Sequence, residues 1–138
     1  MGIFDFFKTA KDFYDSGYKK AYESNWDFKG AIEDYTKAIK LDPNYEEAYF
    51  QRANAKHSLK DYYGAISDYN KAIGNGYATF AGTYYSSRAI SKADLKDYKG
   101  AIEDLSKSID LTSEGTYGCA SKYNKRGLLK EKIGDFKE

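Results

Sequence analysis

The sequence predicts an all-α protein built as a stack of helix-turn-helix repeats, about seven helices forming three repeats and a capping helix. Two observations carry that expectation. The stretch Asp27 to Ala53, DFKGAIEDYTKAIKLDPNYEEAYFQRA, is written again further along: DYYG with AISDYNKAI from Asp61, DYKG with AIEDLSKSI from Asp97, and DFKE from Asp135. The acidic-aromatic pair thus stands at 27/28, 61/62, 97/98 and 135/136, at spacings of 34, 36 and 38. Within each copy, small and aromatic residues also recur at helical spacing, as in Phe28, Ala31, Ile32, Tyr35, Ala38 and Ile39.

Met1 to Asn25 reads as an amphipathic helix whose face is Ile3, Phe6, Phe7, Ala10, Phe13 and Tyr14. Its expected role is to cover the open end of the stack. An interfacial membrane anchor and a dimerisation helix are the alternatives, the first opposed by Asp5, Asp12 and Asp15 among the lysines. Myristoylation of Gly2 is disfavoured by Phe6, where the motif wants Ser or Thr. From Asp27 a helix runs to the stop Leu41-Asp42-Pro43-Asn44. Further helices are expected at about Tyr45 to Leu59, Tyr62 to Ile73, Ala78 to Ala93, Tyr98 to Leu111 and Gly118 to Ile133. Gly74-Asn75-Gly76 and Thr112-Ser113-Glu114-Gly115 replace the proline stop as surface links of differing length. The last helix is followed by the unfinished copy at Asp135, which suits either a capping helix or an array that continues. The expected organisation is one domain over residues 1–138: an extension at about 1–10, repeats at about 11–44, 45–78 and 79–116, and the cap at about 117–134.

Composition bounds the function. A chain of 138 residues that is 41% hydrophobic and 31% charged suits a folded soluble domain. Lys and Arg number 22 against 21 Asp and Glu, so no global field nominates nucleic acid or an anionic membrane as partner. The lone Cys119 allows neither an internal disulfide nor a cysteine-based zinc site. No apolar run approaches the roughly 20 residues of a membrane helix, and a cytoplasmic location is expected.

These residues resemble the tetratricopeptide repeat, a helix-turn-helix unit with the pattern W-x2-L-G-x2-Y, A-x3-F, P. The first copy supplies Ala31-x3-Tyr35 and Pro43, and the second Tyr49-x2-Arg52-Ala53-x2-Lys56 with Ala65-x3-Tyr69. The third gives Tyr85-x2-Arg88-Ala89 with Ala101-x3-Leu105, and the last helix Tyr123-x2-Arg126-Gly127. The resemblance covers roughly Lys11 to Glu138 and implies a right-handed superhelix whose concave groove is lined by the first helix of each repeat. It departs from the pattern where Arg52, Arg88 and Arg126 replace Leu, while Asp34, Asp68 and Asp104 precede the aromatic or Leu of each second helix. Matched by order, these six residues are expected to form an inter-repeat ladder, each Arg reaching the second helix of the preceding repeat.

Catalytic chemistry finds little support. His57 lacks a dyad or triad partner, Cys119 reads as a half-buried inert thiol, and no glycine run suits a phosphate. No metal and no cofactor is expected, and most of the 15 tyrosines read as repeat packing instead of a nucleic-acid stacking surface. The expected activity is non-enzymatic: a protein-interaction module, scaffold or adaptor, holding a peptide or partner helix. Its alternative is self-assembly, a homodimer through the N-terminal or last helix. Helix geometry nominates Lys20, Glu47, Phe50, Asn54, His57, Ser86, Ile90, Asn124 and Leu128 as the groove, with Phe50, Ile90 and Leu128 as an apolar track. The two-carboxylate clamp that some tetratricopeptide domains use for chaperone tails is not supported, since only Asn54 and Lys125 fit its pattern.

Overall fold

The computed structural model describes residues 2–75, 78–112 and 117–134, with side chains left out at 4, 5, 78, 79 and 117–119. The unfinished copy at Asp135, the link through 113–116, Gly76 and the Cys119 thiol lie outside that description. Among the described residues there are seven α-helices and no strand: α1 (Ala10–Tyr22), α2 (Phe28–Leu41), α3 (Glu46–Ser58), α4 (Tyr62–Asn75), α5 (Ala78–Asp94), α6 (Tyr98–Asp110) and α7 (Tyr117–Lys132). The chain divides into two compact units, Met1–Asn75 and Gly76–Glu138.

In the first unit α1 packs on α2, α2 on α3 and α3 on α4. The contacts are made by alanines and rings: Phe13, Ala38 and Ala48 form one cluster, Ala21, Ala31 and Tyr35 a second, Ala53, Ala65 and Tyr69 a third. Alanine lets two helix backbones approach, and the tyrosine rings fill the space left beside them. In the second unit α5 packs on α6 and α6 on α7, around Ala89, Ala101 and Leu105.

The acidic-aromatic motif is a helix start. Asp27, Asp61 and Asp97 each accept a hydrogen bond from the backbone N–H three residues on, at Gly30, Gly64 and Gly100 (2.9, 3.0 and 3.0 Å). A Cβ on any of these glycines would sit 2.1–2.3 Å from the capping carboxylate, which explains the glycine that closes DFKG, DYYG and DYKG.

The N-terminal expectation needs correction. Instead of one helix, Ile3–Phe7 is a separate 3-10 helix and α1 starts afresh after Thr9, whose side chain accepts from Asp12 N–H while the Asp12 carboxylate accepts from Thr9 N–H. That capping box, Thr-x-x-Asp, satisfies the free amides of a new helix and breaks the old one. Phe13 is buried as expected, but Ile3, Phe6 and Phe7 are 82%, 86% and 87% exposed and cover nothing.

Candidate functional site

Each helix hairpin closes on a buried aspartate. Arg52 of α3 donates from Nε and Nη2 to the two oxygens of Asp68 in α4, both at 2.8 Å, and Lys56 adds a contact at 2.9 Å. Arg88 and Lys92 of α5 repeat this on Asp104 of α6, at 2.8, 2.7 and 2.9 Å. In the first hairpin Ser16 stands in for the arginine: it donates to Asp34 at 2.7 Å, beside Lys20 at 2.7 Å.

The ladder pairing is therefore corrected: Arg52 pairs with Asp68 and Arg88 with Asp104, within one repeat, and Asp34 has no arginine. Order of appearance misled because an arginine on one helix meets the antiparallel helix that follows it, sixteen residues on. What reaches the preceding repeat is a weaker contact to a hydroxyl, Arg52 Nη1 to Thr36 Oγ1 at 3.1 Å and Arg126 Nη1 to Ser106 Oγ at 3.4 Å. The lysines of these clusters were missed, although Arg-x3-Lys recurs at 52/56, 88/92 and 126/130 and could have revealed them.

Lys20 is a second correction. The amide of Asp61 donates to the Lys56 carbonyl and that of Asp97 to Lys92, five residues back, but Asp27 reaches seven residues back to Lys20. The first hairpin turn is thus two residues longer, with both Asn25 and Trp26 left-handed where Lys60 or Lys96 suffices elsewhere. Two residues turn a helix by about 200°, so a fixed period of 34 placed Lys20 on the wrong face. Lys20 is equivalent to Lys56, and the positions equivalent to Phe50 and Asn54 are Tyr14 and Tyr18.

The face of α1 toward α3 is accordingly aromatic. Tyr14 lies 5.2 Å from Tyr45 between ring centroids, Tyr18 lies 4.7 Å from Tyr22, and Tyr22 Oη donates to Gln51 Oε1 at 2.8 Å. Burial, with the neighbouring Tyr45 and Glu47, pushes the Tyr14 hydroxyl up to about 12. Phe50 packs against Tyr69 at 5.9 Å, and Asn54 accepts from Tyr69 Oη at 2.6 Å, so both brace α3 against α4. The His57 ring lies 5.2 Å from Tyr62, and Glu47 is exposed.

The second unit differs at the same place. Leu105 replaces Tyr35 and Tyr69, and Ile90 replaces Asn54, so the seam between α5 and α7 is left open. It forms a cleft of about 600 Å³ lined by Ala89, Ile90, Ala93, Leu105, Leu128 and Leu129, with Asp94, Lys125, Glu131 and Lys132 completing it. Ile90 and Leu128 are 40% and 54% exposed. Of the predicted apolar track, these two share this cleft, whereas Phe50 is packed in the first unit. Ser86 donates to the Thr83 carbonyl at 2.9 Å, and Asn124 is exposed on α7. Among the described residues no group of three or more His, Cys, Asp or Glu side chains could hold a metal, and no helix is long and apolar enough to cross a membrane.

Consecutive antiparallel hairpins, each closed on a buried aspartate, define an α-helical repeat protein. Family models described as TPR repeat and tetratricopeptide repeat match residues 20–60 and 46–75. The first TPR of Spaghetti (RPAP3), bound to HSP90 peptide SRMEEVD, is 22% identical and superposes with a TM-score of 0.80 over 91% of this chain and 94% of that one. The TPR2B domain of yeast Sti1, in complex with pHsp70, is 26% identical with a TM-score of 0.74 over 93% of this chain and 98% of that one. MamA is 27% identical with a TM-score of 0.74, matching 86% of this chain and 65% of its own length. No curated protein is similar to the chain in sequence. Residues 20–75 thus match tetratricopeptide-repeat models, and the fold is that of tetratricopeptide-repeat domains.

Proposed function

We propose that this protein is a non-enzymatic protein-interaction module of the cytoplasm, one domain that holds a peptide or partner helix by apolar side chains seated in the α5–α7 cleft. The observation that carries this is the cleft itself: about 600 Å³, floored by Leu105 and walled by Ile90, Leu128 and Leu129 beside charged side chains. A concave apolar site with a few placed polar groups is the usual form of a ligand pocket. Support also comes from the similar Sti1 domain, which is a complex with pHsp70. The ligand class differs from a carboxylate-terminated tail, because Tyr14 and Tyr18 occupy the first-helix positions that a two-carboxylate clamp gives to Lys and Asn.

Peptide selection on the chain and on two variants tests this. Leu105→Tyr fills the cleft with the residue used at 35 and 69, and Ile90→Glu with Leu128→Glu charges its walls. Selected peptides should carry apolar anchors and lose at least about tenfold in affinity for both variants, the worth of one buried apolar contact or more. Peptides that bind all three proteins equally would overturn the site.

Self-association is the second proposal, favoured by the exposure of Ile3, Phe6 and Phe7. Light scattering at two concentrations decides it: a dimer lost on deleting residues 1–8 supports it, and a monomer at tens of micromolar refutes it.

A further inference from the structure

The aromatic face of α1 in the first unit is both rigid and open. Tyr14 is held between Tyr35 and Tyr45, at 5.8 and 5.2 Å between ring centroids, and Tyr18 lies against Tyr14 and Tyr22 at 6.5 and 4.7 Å. The Tyr22 hydroxyl is anchored on Gln51. Fixed in this way, Tyr18 and Tyr22 still remain 41% and 38% exposed. Rigid, half-exposed tyrosines supply contact area at little entropic cost and are enriched at binding surfaces. Charge gives this face a sign. Glu47, in the first turn of α3, is exposed and makes no hydrogen bond or ion pair among the described residues. Burial raises the Tyr45 hydroxyl, and the charges of Glu47, Asp15 and Asp42 raise it further. Glu47 acts on the Tyr14 hydroxyl as well, behind burial and Tyr45. The neighbouring cation Lys11 is already held by Asp15 at 2.7 Å. Tyr35 is a separate observation. It is fully buried, its hydroxyl has no partner, and its ring lies against Gly17 in the turn between Tyr14 and Tyr18. In the next hairpin the matching Tyr69 hydroxyl donates to Asn54, whose place is taken here by Tyr18. The first hairpin thus directs an unmet hydroxyl at the same face, a polar group for a ligand to satisfy.

We propose that this face binds an arginine of an extended peptide, its guanidinium paired with Glu47 and laid over the rings of Tyr14 and Tyr18. The chain uses the same chemistry internally. Arg52 and Arg88 each lie over a tyrosine, at 5.6 and 5.2 Å, while forking onto a carboxylate. A planar guanidinium stacks and forks at once, whereas an ammonium is a point charge. An acidic peptide would meet Glu47, Asp15 and Asp42 with like charge, and an apolar one would desolvate Glu47 without a partner. The site belongs to the first unit and does not rest on the α5–α7 cleft, so either can fail alone.

The test titrates isotope-labelled chain with the blocked tripeptide Ala-Arg-Ala and with counterparts in which lysine or citrulline, a neutral isostere, replaces the arginine. Saturable shifts at Tyr14, Tyr18, Glu47 and Gln51 are expected. The citrulline peptide should bind at least about fivefold more weakly, the worth of an exposed ion pair with its cation–π contact. The lysine peptide should fall between the two. Glu47→Gln and Tyr18→Leu should each weaken the arginine peptide about threefold or more. Leu105→Tyr, which fills the cleft, should leave it unchanged. Thermal midpoints taken in parallel show that the variants are folded. Absence of saturable shifts, equal binding of either counterpart peptide, or unchanged affinity in Glu47→Gln would each overturn the proposal.

Discussion

Arg52 and Asp68, sixteen residues apart on neighbouring helices, meet as a two-pronged pair in which Nε and Nη2 each donate at 2.8 Å to a different carboxylate oxygen. Both side chains are largely buried, at 15% and 5% exposure, and Lys56 is a third member. Removing the acceptor leaves two cations facing each other in a low-dielectric seam. Asp68→Asn is therefore expected to lower the unfolding free energy by roughly 3–5 kcal/mol. Lys56→Met leaves the fork intact and should cost about 1 kcal/mol or less. Urea denaturation of the two variants checks the order; equal losses would show that the fork is not the stronger part.

Asp104 gives the pH dependence. Burial pushes its carboxyl up, but hydrogen bonds and charge from Arg88 and Lys92 outweigh that and hold it below the ordinary value. A carboxyl depressed on folding contributes stability that is whole above its unfolded value, about 3.9, and is lost as pH falls through the folded value. Stability of the chain should drop as pH is taken below about 4, and Asp104→Asn should show a shallower drop across that window. Parallel curves for the two proteins would show that Asp104 does not contribute.

Two equivalent tyrosines should respond oppositely to loss of the hydroxyl. Tyr35 is fully buried and its Oη has no hydrogen-bond partner among the described residues, whereas Tyr69 Oη donates to Asn54 at 2.6 Å. Tyr35→Phe removes an uncompensated buried polar group and should be neutral or stabilising by up to about 1 kcal/mol. Tyr69→Phe should cost about 1 kcal/mol, more if the stranded Asn54 finds no water. Thermal midpoints moving in opposite directions are the expected readout.

Two helical glycines should also diverge. A Cβ on Gly17 would lie 2.8 Å from Cε1 of Tyr35 and 3.2 Å from the Ala31 carbonyl oxygen, so Gly17→Ala must displace a buried ring and should destabilise by about 1–3 kcal/mol. Gly127 has open space around it, and Gly127→Ala should stabilise α7 by up to about 1 kcal/mol through helix propensity. Helicity and midpoint measured together separate the two effects.

Much of this molecule is legible in its sequence, for a physical reason. Helix period, caps and stops are local: Ala and Tyr at three-and-four spacing, Asp with a glycine three residues on, and Pro43 after α2 act within a few residues, so the six helices from α2 to α7 fall where the pattern puts them. The break at Thr9 was equally local, and its capping box was there to be read.

Local pattern therefore sets the helices and the all-α repeat class. Which residues share a face, and with whom, is set by packing between helices. Two extra residues in the first turn rotated the sequence register of α1, placing Lys20 on Asp34 and Tyr14 and Tyr18 where groove residues were expected. Antiparallel packing assigned Arg52 to Asp68 within its own hairpin. The open cleft beside α7 exists because Leu105 and Ile90 together leave unfilled a volume that Tyr69 and Asn54 fill in the first unit. Each outcome depends on side chains from separate helices meeting in space, and no local periodicity encodes that.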